Sequence, residues 1–250
     1  MENAIPKLAG KTALITGAAR RIGAAVARRL HAEGMNLVLH YRTSEQDAQA
    51  LRQSLNTARR DSAILVQADL DNFGSFDSLI KTALLWGSLD LLVNNASVFY
   101  PTPIGKVSEA DWDELLGSNL KAPFFLSQAA APYLKQSHGV IINMVDIHAR
   151  RPLREHTLYS TAKAGLAMLT LSLARELGPE VRVNGVAPGP ILWPTQGLDE
   201  KSKQTILDNT AMKRVGSPND IAATIVYLVR DADYVTGQII AVDGGRSIGW

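Results

Sequence analysis

Tyr159 and Lys163 stand four residues apart in 157–177, a stretch of helical periodicity, so both side chains project from one helix face. A phenol ordinarily holds its proton to about pH 10, and a neighbouring ammonium lowers that value. Such a pair can therefore move a proton near neutral pH, while the lysine also donates hydrogen bonds to a ligand. The spacing alone equally fits a core tyrosine beside a surface lysine. Its neighbours in the chain shift that balance. Asp146 follows the apolar run 140–145, thirteen residues before Tyr159. Asn94-Asn95-Ala96-Ser97 ends another run, Ser118-Asn119 begins or interrupts a helical stretch, and Pro188-Gly189 follows a third run. Each falls at a strand C-terminus or on a facing helix, the edge of an α/β sheet where a shared site forms.

A second constellation lies near the start of the chain. Thr12-Ala13-Leu14-Ile15-Thr16 runs into Gly17-Ala18-Ala19-Arg20-Arg21-Ile22-Gly23. A strand, a turn of small residues and then a helix N-terminus offers backbone N–H groups and the positive end of a helix dipole to a phosphate. Gly17 and Gly23 would otherwise only relieve crowding in a βα turn. Arg20 and Arg21 add cations, and Ile22 continues the turn. The second apolar run ends His40-Tyr41-Arg42-Thr43-Ser44. A dinucleotide site without a 2′-phosphate usually carries an acid there. Arg42 with two hydroxyls suits the 2′-phosphate instead, and so predicts NADPH rather than NADH, although Ser44 also suits a helix cap. Asp69 and Leu70, closing the third run, would lie beside the adenine.

The elements that must position these groups follow from hydrophobic period. Short apolar runs at 12–16, 36–41, 63–67, 89–93, 140–145, 181–186 and 238–242 read as strands buried on both faces. Amphipathic stretches at 20–33, 45–60, 73–86, 109–134, 157–177 and 218–230 alternate with them. Ser217-Pro218-Asn219-Asp220 and Ser108 with Asp111 are helix starts, and Gly34 and Gly178 are stops. The segment 187–198, with three Pro and two Gly, reads as a long loop before a short helix. Strict alternation predicts an α/β doubly wound parallel sheet with helices on both faces.

Along essentially its whole length the sequence resembles the short-chain dehydrogenase/reductase family. The resemblance rests on Thr16-Gly17 through Gly23, Asn94-Asn95-Ala96, Asn119, Tyr159 with Lys163, Pro188-Gly189 and Asp243-Gly244-Gly245, in that order. It implies a Rossmann-type sheet of seven strands, commonly assembled as a homotetramer through helix faces. It also implies Tyr159 as proton donor, Lys163 as ribose anchor and Asn119 in a proton relay. A cofactor set of Gly17, Arg20, Arg21, Ile22, His40, Tyr41, Arg42, Thr43, Ser44, Asp69, Leu70, Asn95, Ala96, Ser97, Tyr159, Lys163, Pro188, Gly189 and Ile191 follows.

Two positions depart from the common family pattern. Arg21 stands where a second glycine is usual, and Asp146 stands where a serine usually assists the tyrosine. Both departures, with the segments 40–44 and 96–103, are similar to the pteridine reductase group. A pterin is flat, with ring nitrogens that take protons and an amino-pyrimidinone edge. Phe99 would stack on it or else plug the core, Arg21 and Ser97 would bond its edge, and Tyr159 with Asp146 would supply a proton. Trp193 would line the substrate mouth or only pack the loop, whose usual threonine is missing. The segment 148–156 holds His148, Arg150, Arg151, Arg154 and His156. It fits a solvated basic loop, a subunit contact or a site for a folate glutamate tail. The alternatives to pterin reduction are an NADPH-dependent carbonyl reductase of 3-oxoacyl or sugar-alcohol type, and a non-catalytic NADPH sensor.

Composition closes off other classes. The 250 residues are 46% hydrophobic and 20% charged, with a net charge of +2. Disorder and bulk nucleic-acid binding are excluded by those values. Absent cysteine removes disulfides and thiolate chemistry, and the five histidines are scattered, so no metal is predicted. No apolar run approaches the ~18 residues that would span a membrane, and 1–7 lacks a signal-peptide core. The expectation is one domain over 1–250, cytoplasmic, acting on a small molecule.

Overall fold

The computed structural model describes residues 7–193 and 199–248. The expectation about the first six residues, and part of that about the loop 187–198, lie outside the described residues. The seven apolar runs form β1 (Thr12–Ile15), β2 (Asn36–Tyr41), β3 (Ala63–Gln67), β4 (Leu91–Asn94), β5 (Val140–Met144), β6 (Arg182–Pro188) and β7 (Ile239–Val242). All pair in parallel in one sheet, ordered β3-β2-β1-β4-β5-β6-β7. This is the Rossmann-type arrangement, and strand order reverses between β1 and β4, where a crevice opens at the C-terminal ends.

Helices α1 (Arg21–Ala32), α2 (Glu45–Ala58), α3 (Phe76–Ala83), α4 (Glu109–Leu116), α5 (Ala122–Ser137), α6 (Thr157–Leu177), α7 (Glu200–Asp208) and α8 (Pro218–Arg230) connect and cover the strands. Alternation along β1 explains the two faces. Ala13 and Ile15 pack with Leu37, Leu39, Val26 and Leu30 of α1, Leu51 of α2 and Ile225 of α8. Leu14 packs on the other side with Val38, Leu79 of α3 and Leu126 and Leu134 of α5. Successive side chains of a strand point to opposite faces, so a strand covered on both must be apolar throughout. Truncating one of these buried leucines to alanine would cost about 2–5 kcal/mol.

Three boundaries differ from the sequence expectation for visible reasons. The fourth strand starts at Leu91 rather than 89, because the Asp90 carboxylate accepts the Thr12 N–H at 2.9 Å and the Ser88 hydroxyl at 2.7 Å. The stretch 73–86 is not one helix: 3₁₀ turns at Phe73–Ser75 and Leu84–Trp86 flank α3. The stretch 109–134 is broken by a π-helical turn, Gly117–Lys121, between α4 and α5. The two capping starts are as read. Asp111 N–H donates to Ser108 Oγ at 3.2 Å while Ser108 N–H donates to Asp111 Oδ2 at 2.8 Å. Ser217 N–H donates to Asp220 Oδ2 at 2.7 Å.

Candidate active site

A cleft of about 380 Å³ opens over the C-terminal ends of β1, β2 and β3. Gly17, Arg20, Arg21, Ile22, His40, Tyr41, Arg42, Thr43, Ser44, Asp69, Leu70, Asn95, Ala96 and Ser97 line it, so most of the expected cofactor set converges here. No side chain caps the N-terminus of α1, which leaves its first N–H groups available to a ligand. The floor is a cradle that only glycine can build. A Cβ on Gly23 would lie 2.2 Å from the Gly17 carbonyl oxygen, and Gly17 itself has φ +62°. Asn95 Nδ2 donates to Thr16 O at 2.9 Å and Gly17 O at 3.0 Å, so its amide shapes the turn. Arg20 is paired with Asp47 at 2.5 Å. Arg21 and Arg42 are exposed and form no salt bridge among the described residues. Arg21 holds φ +50° in the position where the resemblance leads one to expect a second glycine, a conformation that costs a bulky side chain about 1–3 kcal/mol. Uncapped helix, glycine cradle and unpaired guanidinium groups together fit a dinucleotide with a phosphate near Arg42. Ser44 makes no side-chain cap to α2, so its hydroxyl is not committed there.

The reactive cluster adjoins the inner end of this cleft at Ser97. Tyr159 is 5% exposed, and its hydroxyl donates to Asp146 Oδ2 at 2.8 Å. Burial raises its pKa well above 10, the Asp146 charge and hydrogen bond add to the rise, and a Ser97 hydrogen bond opposes it. This corrects the expectation that a cation lowers the phenol: burial first, and Asp146 after it, favour the protonated form. Lys163 is 3% exposed, its Nζ donates to Met144 O at 2.9 Å, and it stands 5.6 Å from the Tyr159 ring centroid. Burial brings its pKa down to about 8, with Asp146 opposing.

The strand ends beneath are locked by buried amides. Asn94 Nδ2 donates to Asn143 Oδ1 at 2.9 Å, and Asn143 Nδ2 donates to Thr170 Oγ1 at 3.0 Å, tying β4 to β5 and to α6. Such a satisfied network fixes register where reacting groups need it. Asn119, on the π-helical turn, is fully buried; its Nδ2 donates to Val98 O at 2.8 Å and Leu115 O at 3.0 Å, and its Oδ1 accepts from Ser97 Oγ at 2.6 Å. Its side chain thus anchors the loop after β4.

That loop carries Phe99, which is 52% exposed and does not plug the core. The Phe99 ring meets Tyr159 edge-on at 4.8 Å and stacks on His156 at 4.6 Å. Sequence reasoning placed His156 only in the basic segment 148–156, and within 96–103 it gave no role to Tyr100, whose hydroxyl bonds Glu114 at 3.0 Å and Asp111 at 3.2 Å and moors the same loop to α4. An aromatic three residues before Tyr159 was the only available signal for His156. Pro188, Gly189, Ile191 and Trp193 are not among the residues lining the cleft. Gly189 N–H donates to Val242 O at 3.1 Å, and Ile191 instead borders a second cavity of about 390 Å³ with Asp243, Gly244 and Gly245. Trp193 is half-buried, and Arg150 and Arg154 are exposed. No group of His, Asp or Glu able to hold a metal occurs among the described residues.

Residues 17–247 match a family model described as enoyl-(acyl carrier protein) reductase. The chain is 37% identical to pteridine reductase 1 of Leishmania tarentolae over an alignment of 280 residues, covering 94% of this chain and 96% of that protein. It is 35% identical to 3beta-hydroxysteroid dehydrogenase 1 of Eggerthella lenta, with 96% and 95% covered. It is 37% identical to the 3-oxoacyl-(acyl-carrier-protein) reductase FabG of Staphylococcus aureus, with 94% and 97% covered.

Proposed function

Because the chain belongs to the short-chain dehydrogenase/reductase family and is an oxidoreductase of that family, we propose that it is an NADPH-dependent pteridine reductase. The reaction is reduction of a dihydropterin to the tetrahydropterin; oxidised pterins and dihydrofolate fall in the same substrate class. The observation that carries this reading is the Tyr159–Asp146 pair at 2.8 Å with the exposed Phe99 ring 4.8 Å from the phenol. A flat heteroaromatic ring matches an aromatic beside a proton donor, whereas a simple carbonyl needs neither the ring nor the carboxylate.

Reductases of this family use nicotinamide cofactors. Bound at the cleft, a reduced nicotinamide supplies a hydride to a ring C=N carbon. The chain's own residues manage the accompanying proton and the orientation. Tyr159 retains its proton because burial and Asp146 disfavour the phenolate, so it arrives at the reaction as an acid. Lys163 is fixed to Met144 O beside it and offers its remaining N–H donors to a ribose. Arg42, Thr43 and Ser44 would hold the 2′-phosphate, and the start of α1 with Arg21 the pyrophosphate. Ser97 and Arg21 would bond the pterin edge.

The equal identity to FabG and the likeness to a steroid dehydrogenase favour a second reading, NADPH-dependent reduction of a carbonyl. One assay decides: NADPH oxidation with dihydrobiopterin or dihydromonapterin, against a 3-oxoacyl thioester. Turnover of the pterin is expected, and turnover of the thioester alone would reject it. The same proposal takes 1–250 as one domain, in the cytoplasm, assembled as a homotetramer. Exposed Phe124 on α5 and Met168 and Leu171 on α6 support self-association. No helix among the described residues is long and apolar enough to cross a membrane.

A further inference from the structure

His40 lies in β2 with 2% of its surface exposed, and both ring nitrogens are spent on backbone. Nδ1 lies 3.1 Å from the Gly17 nitrogen, and Nε2 lies 3.1 Å from the Ala68 carbonyl oxygen. A peptide N–H can only donate and a carbonyl can only accept. The ring is therefore neutral, with its proton on Nε2 and a lone pair on Nδ1 facing Gly17. Burial favours that neutral form, and the nearby Arg42 charge acts the same way, while the Ala68 carbonyl and Asp69 oppose it. The backbone carries the link further, since Ala18 N–H donates to His40 O at 2.9 Å.

The two partners head the loops on either side of the cleft. Gly17 opens the turn that leads into α1, and Ala68 precedes Asp69 and Leu70. We propose that His40 is a positioning residue for the dinucleotide: its neutral imidazole bridges these loops through the protein and holds the Gly17 turn open for phosphate. An aliphatic side chain at this place would leave the Gly17 N–H without its acceptor and the two loops without a tie. This inference deepens the proposed function and rests on its dinucleotide site.

Two measurements on the full chain test it. In the first, NADPH affinity is titrated by nicotinamide fluorescence for wild type, His40→Leu and His40→Asn. Leu should weaken binding about tenfold or more, the consequence of one buried donor left unsatisfied. Asn, whose amide oxygen can replace Nδ1, should recover most of that loss. In the second, long-range proton–nitrogen NMR of the imidazoles at pH 7 is recorded without cofactor, His40 being assigned by its absence in His40→Asn. A bare Nδ1 and a protonated Nε2 are expected. Leu within twofold of wild type, an Asn variant no better than Leu, or a charged or oppositely protonated ring each overturns the role. Wild-type protein that binds no dinucleotide overturns the proposed function together with it, whereas binding indifferent to His40 overturns this role alone.

Discussion

Replacing Lys163 by methionine removes a cation that the fold keeps at 3% exposure, and the outcome for stability should be a gain. The magnitude follows from the pKa, which burial takes from 10.5 in the open chain to about 8. Each pH unit of that fall is worth about 1.4 kcal/mol, so holding the charge in place at pH 7 costs the fold about 3 kcal/mol. Methionine also abandons the hydrogen bond to Met144 O, a loss of about 1 kcal/mol. The variant should therefore be about 2 kcal/mol more stable at pH 7 while losing turnover. The pH dependence has a definite sign. Between about pH 8 and pH 10.5 the unfolded chain keeps this proton and the folded chain does not, so wild-type stability rises with pH through that window. Below about pH 8 both states are charged and the full cost applies. Urea unfolding of both proteins, at one protein concentration and at pH 7 and pH 10, measures the difference by linear extrapolation. Titrations elsewhere cancel in that difference. A variant less stable than wild type at pH 7, or a gap that is the same at both pH values, would show that Lys163 is not carried as a strained buried charge.

Asp146→Asn removes the carboxylate that helps raise the Tyr159 pKa, so the alkaline limb of kcat/KM should move to lower pH and kcat should fall about 10–100-fold; an unmoved limb would detach Asp146 from the proton donor. Arg42→Asp should reduce the NADPH-over-NADH preference, measured as the ratio of kcat/KM, by about tenfold or more; an unchanged ratio would mean that Arg42 does not read the 2′-phosphate. Gly23→Ala places a methyl 2.2 Å from Gly17 O and 2.8 Å from Asn95 Nδ2, so NADPH binding should weaken more than tenfold and Tm should drop; calorimetric binding that stays intact would refute the cradle geometry.

The sheet was legible because the inner strands β1, β2, β4, β5 and β6 are buried on both faces and so appear as apolar runs, and because glycines and capping acids punctuate the helices between. Tyr159 and Lys163 were legible because a helix face repeats every four residues. The failures have a common cause, contacts between residues distant in the chain. Asn119 was read as a relay member from the resemblance, and its bond to Val98 O, 21 residues back in the chain, leaves no local signal. The Arg20–Asp47 pair depends on how α1 and α2 lie side by side, 27 residues apart in sequence. Phe99 was singled out by type, but its stack on His156 needs two loops to meet. The expected lowering of the tyrosine pKa runs against the structure because spacing says which groups are near, not how deeply the fold buries the phenol.

The turn Gly117–Lys121 has a consequence for how this molecule can change over time. A residue inserted in a helix resets its phase by about 100° without ending it. Helix α5 keeps the phase that the sheet demands, through Leu126 and Leu134. Helix α4 is released to a phase of its own, and Asp111 and Glu114 use it to hold Tyr100 on the loop beside the reacting groups. The two helices thus carry independent settings, one answering to the core and one to the loop that holds Phe99 and Tyr100. Substitutions on α4 can retune the mouth of the site while the strands that hold Tyr159 and the cofactor cleft stay where they are.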